Sequence, residues 1–507
     1  MRTISFLSLS LLALSATTRP TASITTTASH DNNAKNQATI STGIISTVAG
    51  FRTLIGGSNA DGIAATSATI KLPAGLVLDK EGSLYIAVAG ENRIRKVAAS
   101  TGIITTVAGQ YFVAGGYDGE GYQATLTRLN NPMGLSLDSS GNIFIADTGN
   151  NRIRKVTVST GVMSTVAGNG DPFSAFEDNI AGTNTSLNAP NDVAVDASGN
   201  IFIADTRNGR VRKVTASTGM ITTIAGTGLK GKNVPILPNT AATAFSLEIP
   251  YSVTVDISGN VYIAGYYDEC IFKVTASTGY ISVVAGTGPS SFSFGYNGDD
   301  IQATAAELWN PVQVALDSSG NIFITDLGNH RVRKVTASTG IITTVAGTGK
   351  VAYNTQPDDG EGGSATLAQI SGPFGITVDA VGNIYFSDGD LRVVRKVTYT
   401  ETTPSSSVTS APSVTRPPSS SAAPSLSVAS TPTASSSTST SKAPAATTSA
   451  APSPSSIART STAPATPSST GSQSSATTHT HTAQAQALHL TMILLSSLLI
   501  LHLCRDA

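Results

Sequence analysis

Cysteine is nearly missing from this chain of 507 residues, which has only Cys270 and Cys504. Cys504 lies in a terminal apolar run, so no second thiol is available for an internal disulfide, and stability must come from packing. Charge is scarce too: 12% of residues are charged and the formal net charge is −1. Between positions 41 and 400 there are 24 Lys and Arg against 29 Asp and Glu, a balance of −5. A domain that holds phosphates carries a basic excess, so no nucleic-acid partner is expected. Histidine is equally thin, with only His330 in that span. No P-loop or nucleophile elbow appears. Glycine, by contrast, is abundant at 47 residues.

Both ends read as targeting segments. Arg2, the apolar run Ile4 to Leu14 and the small residues Ser15 and Ala16 have the layout of a secretory signal peptide over 1–23. A linker, 24–40, follows. Residues 401–486 are dominated by Ser, Thr, Ala and Pro, too little apolar surface to offset the entropy of ordering, and read as a disordered, O-glycosylated stalk. Residues 487–504 are mostly Leu and Ile. As a helix they span about 27 Å against a hydrocarbon core of about 30 Å. Small residues Ser474 to Ala476 and a polar spacer precede them, which suits a GPI-anchor signal. A short transmembrane helix is the competing reading, and either one attaches the protein to a membrane.

The span 41–400 repeats. STGIISTVAG at 41–50 returns as STGIITTVAG at 100–109, STGVMSTVAG at 159–168, STGMITTIAG at 217–226, STGYISVVAG at 277–286 and STGIITTVAG at 338–347. A second phrase, NPMGLSLDSSGNIFIADTGNNRIRKV at 131–156, also occurs six times. Each repeat holds four short runs rich in Val, Ile, Phe and Thr, separated by Gly, Asn, Asp and Ser, which is strand-and-turn chemistry. Six four-stranded sheets packed radially make an all-β, six-bladed β-propeller. The last repeat stops after its third strand, and the missing fourth is 41–50. That N-terminal strand therefore closes the last blade, leaving no open end to the ring.

Proline, a short apolar strand, D-x-x-G-N, Y/F-I-A-D and N-x-R-I-R-K-V together resemble NHL repeats. The run G-D-G-x-x-A-x-x-A-x-L-x-x-P between them is similar to the longer repeats of teneurin-type NHL propellers. The resemblance implies a fold and leaves function open, because NHL propellers serve adhesion, sensing, RNA binding and, in some relatives, catalysis.

Asp79, Asp138, Asp196, Asp256, Asp317 and Asp379 recur at one position and read as turn residues that cap backbone N–H groups. The basic runs 93–96, 152–155, 210–213 and 331–334 read as cations that solvate an outer rim. The loops DSSGN and TASTG are short and uniform and share one face of the ring. The blade-to-blade connections are long and different, and they emerge on the other face, where binding belongs. Tyr111, Phe112, Tyr266, Tyr267, Phe292, Phe294, Tyr296 and Trp309 are the candidate ligand-binding residues there, alongside Phe173, Phe176 and Tyr353. Acidic turns at 118–121, 297–300 and 358–361 lie in the same connections. They read as solvated turns, with Ca²⁺ binding through oxygen ligands as the alternative. Blade 4 departs from the pattern, reading AGYYDECIFKV where blade 2 reads ADTGNNRIRKV. Drift or a specificity element would explain that. Asn184-Thr185-Ser186 is a glycosylation sequon.

These residues lead to a secreted or cell-surface binding and adhesion module whose varied face meets an extracellular protein or a glycan. A secreted hydrolase or lactonase assisted by Ca²⁺ is the alternative. It calls for carboxylates or amides from non-equivalent blades around the axial channel.

Overall fold

The computed structural model describes residues 43–51, 57–110, 114–174, 176–229, 236–288, 295–351 and 360–399. The signal-peptide, stalk and tail segments lie outside them, as do Tyr111, Phe112, Phe292, Phe294 and Tyr353. Among the described residues no helix is long and apolar enough to cross a membrane.

Six antiparallel sheets form the ring. Blade 2 shows the pattern, with strands Pro132–Leu137, Ile143–Asp147, Arg152–Thr157 and Val162–Ala167 running from the axis outward. In blades 1, 3 and 5 a two-residue strand from the preceding connection (Ile63–Ala64, Ile180–Ala181 and Ile301–Gln302) adds to the outer edge. Blade 6 is composite. Its inner three strands end at Val393–Tyr399, and the N-terminal Gly43–Ala49 supplies the fourth, Gly43 opposite Tyr399 and Ile45 opposite Val397. The ring is therefore closed by the strand that the repeat count requires.

The core lies between blades. Phe144, Ala146 and Ile153 of blade 2 pack on Val193, Ile203 and Val214 of blade 3, and a similar apolar layer joins every neighbouring pair. This explains why the second strands, as in Ile143–Asp147, are buried along their whole length and show no alternation. Each outer strand ends in a glycine of positive φ, such as Gly168 at 88°. Its N–H donates to Gly182 O at 2.9 Å, and a Cβ there would sit 2.3 Å from Asn151 O. Only glycine fits that turn into the next connection.

The repeated D-x-x-G aspartates are turn caps, as their sixfold recurrence suggests. Asp138 Oδ1 accepts the N–H groups of Ser140 and Asn142, both at 2.9 Å, and Oδ2 accepts the Asn142 amide at 2.7 Å. Burial pushes the Asp138 carboxyl upward, but these bonds outweigh it and hold the group below the ordinary range.

The arginines of the basic runs correct the rim expectation. Arg95, Arg154, Arg212, Arg333 and Arg395 are completely buried. Each extends into its own blade and meets carboxylate there. In blade 2 Arg154 Nη1 lies 3.6 Å from Asp147, and Nη2 lies 3.8 Å from Glu120 of the preceding connection. Arg212 pairs likewise with Asp205 and Asp178, and Arg333 with Asp326 and Asp299. Strand alternation puts this arginine on the opposite parity from the lysine beside it, and the lysine reaches solvent. The acidic turns are thus the outer half of buried ion pairs. Glu120 also accepts the Thr165 N–H and hydroxyl, both at 2.5 Å, which ties the connection to the blade edge. Asp61, Asp178 and Asp299 hold the hydroxyls of Thr106, Thr223 and Thr344 in the same way.

Candidate functional site

Tertiary structure draws six inner strands to the axis and sets one residue of each on a common level: Gly75, Gly134, Asp192, Ser252, Gln313 and Gly375. Blades 3 and 5 thus bring a carboxylate and an amide to the channel, as the enzyme alternative requires. Their oxygens, however, are tied to the next blade. Asp192 Oδ2 accepts Val253 N–H at 3.1 Å, Ser252 Oγ accepts Val314 N–H at 3.4 Å, and Gln313 Oε1 accepts Ile376 N–H at 2.7 Å. Asp192 Oδ1 takes Val193 N–H at 2.9 Å. Burial pushes the Asp192 carboxyl up to about 6, against hydrogen bonds from Ser252, Val253 and Val193 that favour its charge. These groups stitch inner strands together.

Above this level, towards the varied face, Met133, Asn191, Tyr251, Val312 and Phe374 crowd the axis. They leave a cavity of about 10 Å³, room for one water at most. At this level the axis is too narrow for anything larger than water.

From that level an aromatic path leads outward along blade 4. The Phe374 and Tyr251 rings meet edge-on at 5.5 Å, Tyr251 and Tyr266 lie tilted at 5.3 Å, and Tyr266 and Tyr267 meet edge-on at 4.9 Å. Tyr251 and Tyr266 are half-buried, whereas Tyr267 is 47% exposed. Burial raises the phenol pKa of both Tyr251 and Tyr266.

Blade 4 makes room for this path through a coordinated set of replacements. Gly265 stands where blade 2 has Asp147, Phe272 replaces Arg154, Pro238 replaces Glu120 and Val283 replaces Thr165. A Cβ on Gly265 would lie 2.8 Å from both Asp268 and Phe272. Phe272 fills the arginine's space and packs edge-on against Phe245 at 5.3 Å. Asp268, three residues later, supplies the missing carboxylate and accepts Glu248 N–H at 3.2 Å, just as Asp147 accepts Asn130 N–H at 2.8 Å. A whole charged network has been exchanged for an apolar one with its backbone cap retained, which argues against drift.

The other candidates divide. Trp309 is 41% exposed on the varied face, and its backbone N–H donates to Asp326. Tyr296 lies flat on the Arg331 guanidinium at 3.7 Å, and Phe176 covers Arg210 at the same distance. Both rings thus pack a connection onto its blade. Asn184 is exposed at the end of a short 3₁₀ turn, Gly182–Asn184. Tyr251, Phe374 and Asn191 were not singled out by sequence. Their signal was a variable column, Ala74, Met133, Asn191, Tyr251, Val312 and Phe374, inside an otherwise repeated strand.

The opposite face is plainer but has a recess of about 410 Å³ beside the first turns of blades 1 to 3. Its Asp79 is engaged by Lys96 at 3.0 Å. Among the described residues no three His, Cys, Asp or Glu side chains are grouped as metal ligands.

Comparison with known proteins agrees with this architecture. The teneurin NHL domain model matches residues 113–336, somewhat less than half of the chain. Suppressor of Quenching 1, a chloroplastic protein of Arabidopsis thaliana, is 27% identical over 275 residues, 53% of this chain and 25% of that protein. Mouse teneurin-4 is 28% identical over 280 residues, 50% of this chain and 10% of its own length. The chain thus spans a quarter or less of these relatives. Among solved structures, an auxiliary nutrient binding protein from Bacteroides thetaiotaomicron superposes with a TM-score of 0.51 at 16% identity, over 71% of this chain and 77% of that one. That likeness is one of fold. The ring is a six-bladed β-propeller whose repeats are similar to NHL repeats.

Proposed function

We propose that the propeller is a binding module that engages an extracellular protein or glycan through its varied face, centred on blade 4. The observation that carries this reading is the aromatic path from the narrow axis to exposed Tyr267, with Trp309 on the same face. Exposed aromatic rings on a rigid frame supply contact area at little entropic cost. The axial polar groups, which an enzyme would need free, are engaged between blades.

A secreted or surface-displayed setting suits the same geometry. Gly43 and Tyr399 are paired at the plain-face end of blade 6, opposite the varied face. The apolar ends and the Ser/Thr/Pro-rich segment of the sequence support display of this kind, as does the resemblance to teneurin.

The test is a panel of purified extracellular proteins and glycans presented to the intact protein. A Tyr267→Ser/Trp309→Ser variant should lose at least tenfold in affinity for whatever the native chain binds. A plain-face variant, Ser217→Lys/Ser277→Lys, should bind normally. Binding abolished by the plain-face changes and unaffected by the aromatic ones would overturn the assignment.

A further inference from the structure

Two features set the connection into blade 3 apart. One is Phe173, which at 87% exposed is the barest aromatic side chain among the described residues. The other is the sequon that begins at Asn184, the last residue of a 3₁₀ turn that ends in Ser, Ala or Leu in every other blade. Hydrogen bonds join the two. Asn169 Oδ1 accepts the Asp171 N–H and Asp171 Oδ1 accepts the Phe173 N–H, both at 2.9 Å, so the turn that presents Phe173 is fixed. Ser186 Oγ donates to Asp171 O at 2.6 Å, and Asn169 N–H donates to Thr185 O at 2.9 Å. The Asn169 amide also donates to Ser174 Oγ at 3.0 Å and to Asn184 O at 3.3 Å. The residue beside Phe173 and the sequon asparagine thus meet on one nitrogen. Asn184 itself is exposed at the outer edge of blade 3, and its side-chain amide makes no hydrogen bond among the described residues.

We infer that Asn184 carries an N-linked glycan and that its first sugar lies on the Phe173 ring. The inference rests on the secreted setting proposed above and goes beyond it. In the attachment Asn184 Nδ2 bonds to the anomeric carbon of an oligosaccharide joined to a lipid diphosphate. The C–O bond to the diphosphate breaks, the diphosphate leaves with the electron pair, and the amide gives up one proton. Ser186 is buried in the fold, so attachment precedes docking of the loop, while the chain is still extended. The first sugar, N-acetylglucosamine, has a C–H face and an acetamido methyl to set against an aromatic ring, and its hydroxyls stay in water. The negative face of the ring attracts such polarised C–H groups. Holding a bare phenylalanine in water by a rigid turn is unfavourable unless something covers it. The hydrogen bonds that fix Phe173 relative to Asn184 make the sugar, rather than a separate partner, the occupant always at hand.

The test expresses the full chain through the secretory pathway of a eukaryotic host. Peptide mapping by mass spectrometry should find Asn184 glycosylated. Hydroxyl-radical footprinting should then oxidise Phe173 about twofold more slowly than in the deglycosylated protein, since one of the two ring faces is covered. Trimming the glycan to its innermost sugar should keep that protection, and complete removal should end it. Phe176, which lies against Arg210, is the internal control and should not change. Phe173→Ser should lower the melting temperature by about 1–2 °C in the glycosylated chain and leave it unchanged in an Asn184→Gln background. The assignment is overturned if Asn184 of the secreted chain is unmodified or if Phe173 oxidises equally with and without the glycan. It is also overturned if Phe173→Ser shifts the melting temperature equally in both backgrounds. A chain that stays in the cytosol without any glycan would sink the secreted setting too, whereas a glycosylated chain with an unprotected Phe173 leaves that setting standing.

Discussion

Blade 2 and blade 4 have the same backbone and opposite interiors. In blade 2 a buried arginine is held between Asp147 and Glu120, and Glu120 in turn takes both polar groups of Thr165 at the edge. In blade 4 all four positions are apolar or glycine, and a phenylalanine fills the space. One sequence thus holds both solutions to one packing problem. The charged network is complete in blades 2, 3, 5 and 6, lacks its inner carboxylate in blade 1, where Val88 stands at the Asp147 position and Arg95 meets Asp61, and is replaced throughout in blade 4. Burying a guanidinium is tolerable only with its carboxylates, and an apolar filling is tolerable only without them.

That comparison can be broken in several ways, the most drastic being removal of the closing strand. Deleting residues 43–49 takes Thr47 from Glu361 and leaves blade 6 with three strands. Loss of cooperative thermal unfolding is expected, and an unchanged transition would contradict ring closure. Next in size is Phe272→Arg, which buries a guanidinium beside Pro238 and Gly265. A loss of about 3–5 kcal/mol is expected from the lost packing of the ring and a charge left without its outer carboxylate, measured by denaturant unfolding. Arg154→Met in blade 2 should cost a similar amount, because Asp147 is left buried without its cation. Converting that blade to the blade 4 pattern (Glu120→Pro, Asp147→Gly, Asn150→Asp, Arg154→Phe, Thr165→Val) should recover more than half of the loss. If the quintuple variant were no better than Arg154→Met, the blade 4 residues would not be a coupled replacement.

A smaller effect separates the blades by pH. Burial raises the carboxyls of Asp147, Asp205 and Asp326 to about 6, and that of Asp388 to about 7, against their hydrogen bonds and arginines. These groups hold protons more tightly folded than unfolded, where an aspartate titrates near about 3.9. Their contribution is therefore full below about pH 4 and is lost as pH rises through about 6 to 7. The melting temperature should fall between about pH 5 and 7.5, and Asp147→Asn should flatten part of that slope.

The smallest effect concerns His330, which occupies the place of Asn151. Asn151 Oδ1 accepts Ala189 N–H at 2.9 Å, and His330 Nδ1 accepts Gly372 N–H at 3.4 Å. Burial lowers the imidazole's pKa, opposed by Asp390 and helped by Arg331. A histidine that is neutral in the fold contributes stability above its unfolded pKa, about 6.5, and loses it as pH falls through the folded value. His330→Asn should change stability by less than about 1 kcal/mol at neutral pH and remove this acid-side loss.

Much of this was legible in the order of residues. The sixfold phrases fixed blade number, strand order and closure, because a turn needing Gly at positive φ and an Asp cap leaves a mark at every recurrence. The Ala-Asp-Thr-Gly to Ala-Gly-Tyr-Tyr change marked blade 4 as different. Partnership was not legible. Arg212 and Asp178 lie 34 residues apart, and Thr223 and Asp178 lie 45 apart. A cation on a strand reads as exposed unless the carboxylate that meets it is known. Tyr251 was hidden for a related reason, since its column looks like ordinary strand until six columns are brought around one axis.

The sequence by itself determined a closed six-bladed ring with one uniform face and one varied face, because local turn chemistry and strand period are short-range properties. Only the tertiary structure decided which charges are buried, that the axis is narrowed by Tyr251, Phe374 and their neighbours, and that blade 4 carries the aromatic path. Those outcomes depend on distances between residues far apart in the chain, and the closure of the ring sets them.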